Sequence, residues 1–170
     1  ADGKLGASVD VKQDVGTGPN KDRQEAAHAH SINLDKNNHF AVACDLGMDK
    51  AFIYEFDKKS GKLTPNPAQE FFQSAPGAGP RHFVFTPQGA GLWLINEEAS
   101  TLTFYHLDKQ SGLLREGKTV SALPEAYKGT SFAAGLGLSR DGKQRYAANR
   151  LQNSTGQDRT SKRLKSSHAQ

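Results

Sequence analysis

His82-Phe83-Val84-Phe85-Thr86-Pro87, followed after a short break by Leu92-Trp93-Leu94-Ile95-Asn96, is the stretch that decides the fold. The first run suits a short strand, Pro87-Gln88-Gly89 suits a tight turn, and the second run suits a returning strand. The same grammar occurs twice more. Upstream it reads His30-Ser31-Ile32-Asn33-Leu34-Asp35, then Phe40-Ala41-Val42-Ala43-Cys44-Asp45. Downstream it reads Gly135-Leu136-Gly137-Leu138-Ser139-Arg140, then Arg145-Tyr146-Ala147-Ala148-Asn149. On this alignment 52 residues separate His30 from His82 and 53 separate His82 from Gly135. Such a period lies slightly above the usual propeller blade and well above a leucine-rich or ankyrin unit.

The first two units continue alike. Ala51-Phe52-Ile53-Tyr54-Glu55-Phe56 and Leu102-Thr103-Phe104-Tyr105-His106-Leu107 predict a third strand. Each is followed by a nearly duplicated turn, Asp57-Lys58-Lys59-Ser60-Gly61 and Asp108-Lys109-Gln110-Ser111-Gly112. A weaker fourth strand would complete each unit. No segment carries the 3.6-residue apolar spacing of a helical repeat. The expected fold is therefore all-β, a β-propeller of four-stranded antiparallel blades, with about three blades present. The third unit loses its grammar after Asn149, where Gly156-Gln157-Asp158-Arg159-Thr160-Ser161-Lys162-Arg163 offers almost nothing to bury. The sequence accordingly predicts a partial propeller over residues 1–155 and a disordered, basic polar tail over 156–170. It begins Ala1-Asp2-Gly3 with neither an initiator Met nor an apolar signal segment, the expected start of a processed or recombinant product or a piece of a longer chain.

Composition narrows the function classes. Hydrophobic residues make up 35% of 170, and no apolar run approaches the roughly 18 residues of a spanning helix, so no membrane partner is expected. The formal charge of +4 gathers between Arg140 and Lys165, but no aromatic residue follows Tyr146 to stack on bases. The basic run reads as a solvated end, and nucleic acid is not an expected partner. Cys44, the single cysteine, lies in an apolar run and reads as core filler; it rules out an internal disulfide or a CxxC metal site. No GxSxG elbow is present for a serine nucleophile.

Five ordered motifs resemble the seven-bladed lactonase family, which includes the 6-phosphogluconolactonases. They are Arg23-Gln24 with His28-Ala29-His30; Asp45-Leu46-Gly47-Met48-Asp49; Pro76-Gly77-Ala78-Gly79-Pro80-Arg81-His82; Asn96-Glu97; and Ser139-Arg140-Asp141-Gly142 with Asn149-Arg150. The resemblance spans roughly residues 15–155. It implies a seven-bladed propeller of which this chain supplies about half the length, no required metal or other cofactor, and hydrolysis of a lactone ring. The family also contains muconate-lactonizing enzymes, so resemblance leaves the substrate open. Gly135 and Gly137 depart from it, standing where the family usually carries an acidic residue and often His or Arg.

Propellers bring equivalent positions of successive blades together at the mouth of a central channel. Lactone hydrolysis needs a base for water and positive charge for the tetrahedral oxyanion. The expected catalytic residues are His82 or His30 as general base, Glu97 as an alternative base, and Arg81 as electrostatic clamp. Arg23, His28 and Arg150 are the expected substrate-binding residues, since guanidinium forks suit a phosphate or carboxylate. A zinc site built from His28, His30 and His82 lacks a closing carboxylate, and no metal is expected. Asp45, Asn96 and Asn149 recur at one position and read as turn caps.

The expected partner is a small-molecule lactone, phosphorylated sugar lactones included, and the expected compartment is the cytoplasm, with periplasm or secretion left open. Two other functions remain: a non-catalytic propeller module or inactive fragment, and a lactone-forming cyclase acting on a muconate-type diacid. Self-association is expected if the propeller is incomplete, because open blade faces need cover.

Overall fold

A computed structural model describes residues 3–4, 6–151, 154–159 and 162–168. Every regular element among them is a strand, and the strands form three antiparallel sheets. The first holds β1 (Ala29–Leu34), β2 (Phe40–Asp45) and β3 (Lys50–Phe56), with its outer edge split between β4 (Leu63–Pro65) and β5 (Phe71–Gln73), both paired to β3. The second runs β6 (Pro80–Phe85), β7 (Gly91–Asn96), β8 (Thr101–Leu107), β9 (Leu114–Ser121). The third runs β10 (Phe132–Leu138), β11 (Gln144–Arg150), β12 (Ser154–Arg159), β13 (Lys162–His168).

Period-2 alternation stacks the sheets like blades. On β7, Leu92 and Leu94 turn toward Phe40, Val42, Cys44 and Ile53 of the first sheet, all in one buried cluster. Trp93 and Ile95 turn the other way, into a cluster with Ala133 and Ala147 of the third sheet. β7 is buried on both faces because a sheet covers each of them. The two Asp-x-x-Ser-Gly turns form as expected. Asp57 accepts from the Lys59 amide at 2.9 Å, Asp108 accepts from the Gln110 amide at 2.9 Å, and Gly61 and Gly112 both sit at φ +73°.

Strand structure continues past residue 155, into the segment expected to be a disordered tail. β12 pairs Tyr146 with Gln157 and Ala147 with Gly156, and β13 then pairs with β12. A ladder is made by backbone N–H and C=O groups, so a polar sequence can add to a preformed edge without supplying core. Residues 160, 161, 169 and 170 of that segment lie outside the described residues.

The repeat register needs one correction. Asp45, Asn96 and Asn149 are equivalent, being partnered by Ala29, Pro80 and Ala133 at the starts of the innermost strands. Immediately afterwards each innermost strand bulges, between Ala29 and Ser31, between Pro80 and His82, and between Ala133 and Leu136. His30 therefore matches Arg81 and Ala134, whereas His82 matches Ser31 and Gly135. The two histidines are not in one register, as the sequence alignment had them. A bulge adds one residue to one strand, and apolar patterning alone does not reveal on which side of it a neighbour falls.

Candidate functional site

The bulges aim side chains at one another across neighbouring innermost strands. Ser31 Oγ donates to the Arg81 carbonyl at 2.8 Å, and Arg81 Nη1 donates to the Ala134 carbonyl at 2.7 Å. His30 and His82 meet edge to face with ring centroids 4.9 Å apart.

Glu97 lies at the centre of the cluster. It follows the cap position of the second sheet, is 1% exposed, and is fixed through its amide, which donates to the Gly79 carbonyl at 2.7 Å. Three guanidiniums converge on its carboxylate. Arg23 Nη2 donates to Oε1 at 2.7 Å, Arg150 Nη2 pairs with the same oxygen, and Arg81 Nε lies 2.5 Å from Oε2. The last is a close ion pair outside hydrogen-bond geometry, and Arg81 Nε has no other hydrogen-bond acceptor. Glu98 adds a second carboxylate, accepting from Arg23 Nε at 3.1 Å. Phe132, at the start of β10, lies under both Arg23 and Arg150, 5.6 and 5.8 Å from ring centroid to guanidinium carbon. Arg81 is largely buried, while the side chains of Arg23 and Arg150 are about half exposed (47% and 50%) and open to an incoming anion.

Both imidazoles are shifted toward the neutral form. Burial lowers the pKa of His30, helped by the positive charge of Arg81; burial and then Arg81 likewise lower that of His82. Their hydrogen bonding differs. Arg81 Nη1 lies 3.2 Å from His82 Nδ1, and since a guanidinium only donates, that nitrogen accepts and the neutral ring carries its proton on Nε2. His30 Nδ1 is buried with no hydrogen-bond partner.

The structure brings six of the seven expected residues together: Arg23, His30, Arg81, His82, Glu97 and Arg150. His28 is drawn elsewhere, its Nε2 lying 3.0 Å from Glu25. Among the described residues no group of three or more His, Cys, Asp or Glu is arranged to hold a metal ion. Asp45 is a cap, with Oδ1 accepting from the His28 and Met48 amides, whereas Asn96 braces Thr101 and Thr103, and Asn149 donates to the Ala122 carbonyl. Glu98 and Phe132 were not singled out from sequence. The pairing of Glu98 with Glu97 was a readable signal; for Phe132 there was none.

Three stacked antiparallel sheets, one of five strands and two of four, with charged residues gathered where their innermost strands begin, define part of a β-propeller that carries a polar cluster. Within that class the chain belongs to the family described as lactonase, 7-bladed beta-propeller, whose family model matches residues 1–160. It is 34% identical over 149 residues to a Bacillus subtilis protein named 6-phosphogluconolactonase, covering 88% of this chain and 41% of that protein. A crystal structure of a Lactobacillus plantarum protein superposes with a TM-score of 0.86 at 30% identity, over 99% of this chain and 48% of that one. The periplasmic gluconolactonase of Pseudomonas aeruginosa superposes with a TM-score of 0.75 at 27% identity, over 85% of this chain and 42% of that one. The chain therefore spans less than half the length of these relatives.

Proposed function

We propose that these blades carry the reacting groups of a lactone hydrolase acting on an anionic sugar lactone such as 6-phosphogluconolactone. The observation that carries this reading is the buried Glu97 carboxylate held by three arginines beside two neutral imidazoles. With both histidines neutral, three guanidiniums face the two carboxylates Glu97 and Glu98, leaving one net positive charge for the substrate. The names borne by relatives from Bacillus subtilis and Pseudomonas aeruginosa support the same chemistry.

In this scheme His30 is the general base. Nδ1 being buried, its neutral ring takes a proton from water through Nε2 as the water oxygen attacks the lactone carbonyl carbon. The tetrahedral oxyanion is held by Arg81, whose largely buried charge is already oriented by Glu97. The ring C–O bond then breaks, the imidazolium returns its proton to the departing alkoxide, and the product is the open hydroxy acid. His82, engaged at Nδ1 by Arg81, orients the guanidinium and can donate from Nε2. Arg23 and Arg150 take the substrate's distal anion. Glu97, with both oxygens occupied by guanidiniums, organises the arginines.

The test is turnover of 6-phosphogluconolactone by pH-stat with His30→Ala and His82→Ala. His30→Ala should lower kcat by about 10²–10⁴-fold, the usual contribution of a general base, and His82→Ala by less. Folded variants with unchanged turnover would refute the assignment. Turnover only of an unsaturated dicarboxylate would instead point to a cyclase.

A further inference from the structure

Arg23 and Arg81 come from distant parts of the chain, and one buried pair of side chains ties both to the blades. Gln24 is 0% exposed, and its Nε2 donates to the Leu46 carbonyl at 2.8 Å and to Asp49 Oδ1 at 2.7 Å. Its Oε1 accepts from the Asn20 amide at 3.0 Å, closing the loop that carries Arg23. Asp49 is 1% exposed. Besides Gln24 it accepts from the Gly79 amide at 2.8 Å on Oδ1 and from the Gly77 amide at 2.6 Å on Oδ2.

Those two glycines form the approach to Pro80-Arg81, and both have positive φ, +74° and +66°. A Cβ on Gly79 would also come within 2.8 Å of Glu98 Cγ. The Gly79 carbonyl in turn receives the Glu97 amide. Asp49 therefore stands one residue from the anchor of Arg23, two residues from Arg81, and one hydrogen-bonded peptide from Glu97. It is itself left-handed, at φ +54°, a conformation Asp tolerates better than most residues. A buried carboxylate with three donors is a costly arrangement to keep, and fold repetition does not require it: the equivalent position in the second sheet is Ser100, whose Oγ donates to the Ser131 carbonyl.

We infer that Gln24 and Asp49 are positioning residues that set Arg23 and Arg81 around Glu97. Neither contacts the reacting atoms. Its catalytic consequence rests on the lactonase reading, but the positioning can be measured separately.

Arginine Nε–Hε exchange by NMR, on the chain as it stands, reads positioning directly. In Gln24→Leu and Asp49→Asn, exchange at Arg23 should accelerate at least about tenfold, as expected for local opening. Arg81 should follow in Asp49→Asn. The amides of Val42 and Leu94, in β2 and β7, should keep their protection. Asp57→Ala, which removes a cap in a distant turn, should alter neither arginine. Unchanged Arg23 exchange in folded Gln24→Leu would overturn the inference. So would equal loss of protection at Val42 and Leu94, which would assign the pair to stability alone.

Where turnover is observed, Gln24→Leu should raise KM more than it lowers kcat, and its effect should vanish in an Arg23→Ala background. Additive effects in that double variant would contradict action through Arg23. Absence of lactone turnover in the wild type would sink the lactonase reading and leave the exchange result standing.

Discussion

The second and third sheets follow one strand plan and are covered differently. β7 shows no exposed position: Leu92 and Leu94 meet the first sheet, Trp93 and Ile95 the third. On β11, Arg145, Ala147 and Asn149 are buried, while Tyr146, Ala148 and Arg150 are exposed. The same contrast reaches the site. Glu97 and Arg150 are equivalent residues just past the cap, one sealed at 1% exposure and the other half open. A strand packed on both faces brings Glu97 to a position where its carboxylate is desolvated, while Arg150 keeps half of its side chain exposed.

Substitutions should separate the two sheets by size of effect. Replacing Glu97 with Gln removes the negative charge that pairs with three guanidiniums, and lactone turnover should fall by about 10²–10³-fold. Arg150→Ala, at the matching open position, should cost about tenfold and act chiefly through KM. Equal losses would break the comparison at the site. In the core, Leu94→Ala should lower unfolding free energy by about 2–5 kcal/mol in urea titration. Ala148→Ser should stay within about 0.5 kcal/mol. A large loss at Ala148 would mean that the outer face of the third sheet is covered.

The pH profile gives the smallest effect. Both histidines have lowered folded pKa values, so between those values and the unfolded value of about 6.5 the unfolded chain binds more protons. Their contribution to stability is complete above about 6.5 and is lost as pH falls toward the folded pKa. Activity should likewise hold through about pH 6.5 and drop on an acid limb below it. His30→Ala should remove part of the acid loss of stability, measured as the shift of Tm between pH 7 and 5.

Blades, turns and most of the cluster were legible because apolar alternation and Asp/Gly turn chemistry are local signals. The Asp57 and Asp108 turns form as their residues dictate. Where the reading failed, the deciding interaction was not local. His30 falls within the bulge of its strand and His82 just after the bulge of the next, yet the two rings meet across the sheets. His28 was read with the site because it shares a motif with His30, but Glu25, three residues away, captures its ring. β12 and β13 were invisible to an apolar count because their pairing is a backbone property. Phe132 carries no local mark of standing under two arginines drawn from residues 23 and 150.

The central claim is that Arg81, oriented by Glu97 beside a neutral His30, stabilises the charge that develops on a lactone carbonyl. It is tested most directly by 6-phosphogluconolactone hydrolysis in wild type and in folded Arg81→Ala, followed by proton release at pH 7. Turnover is expected in the wild type, with a kcat lower by about 10²–10³-fold in the variant. Turnover unaltered by Arg81→Ala would contradict it.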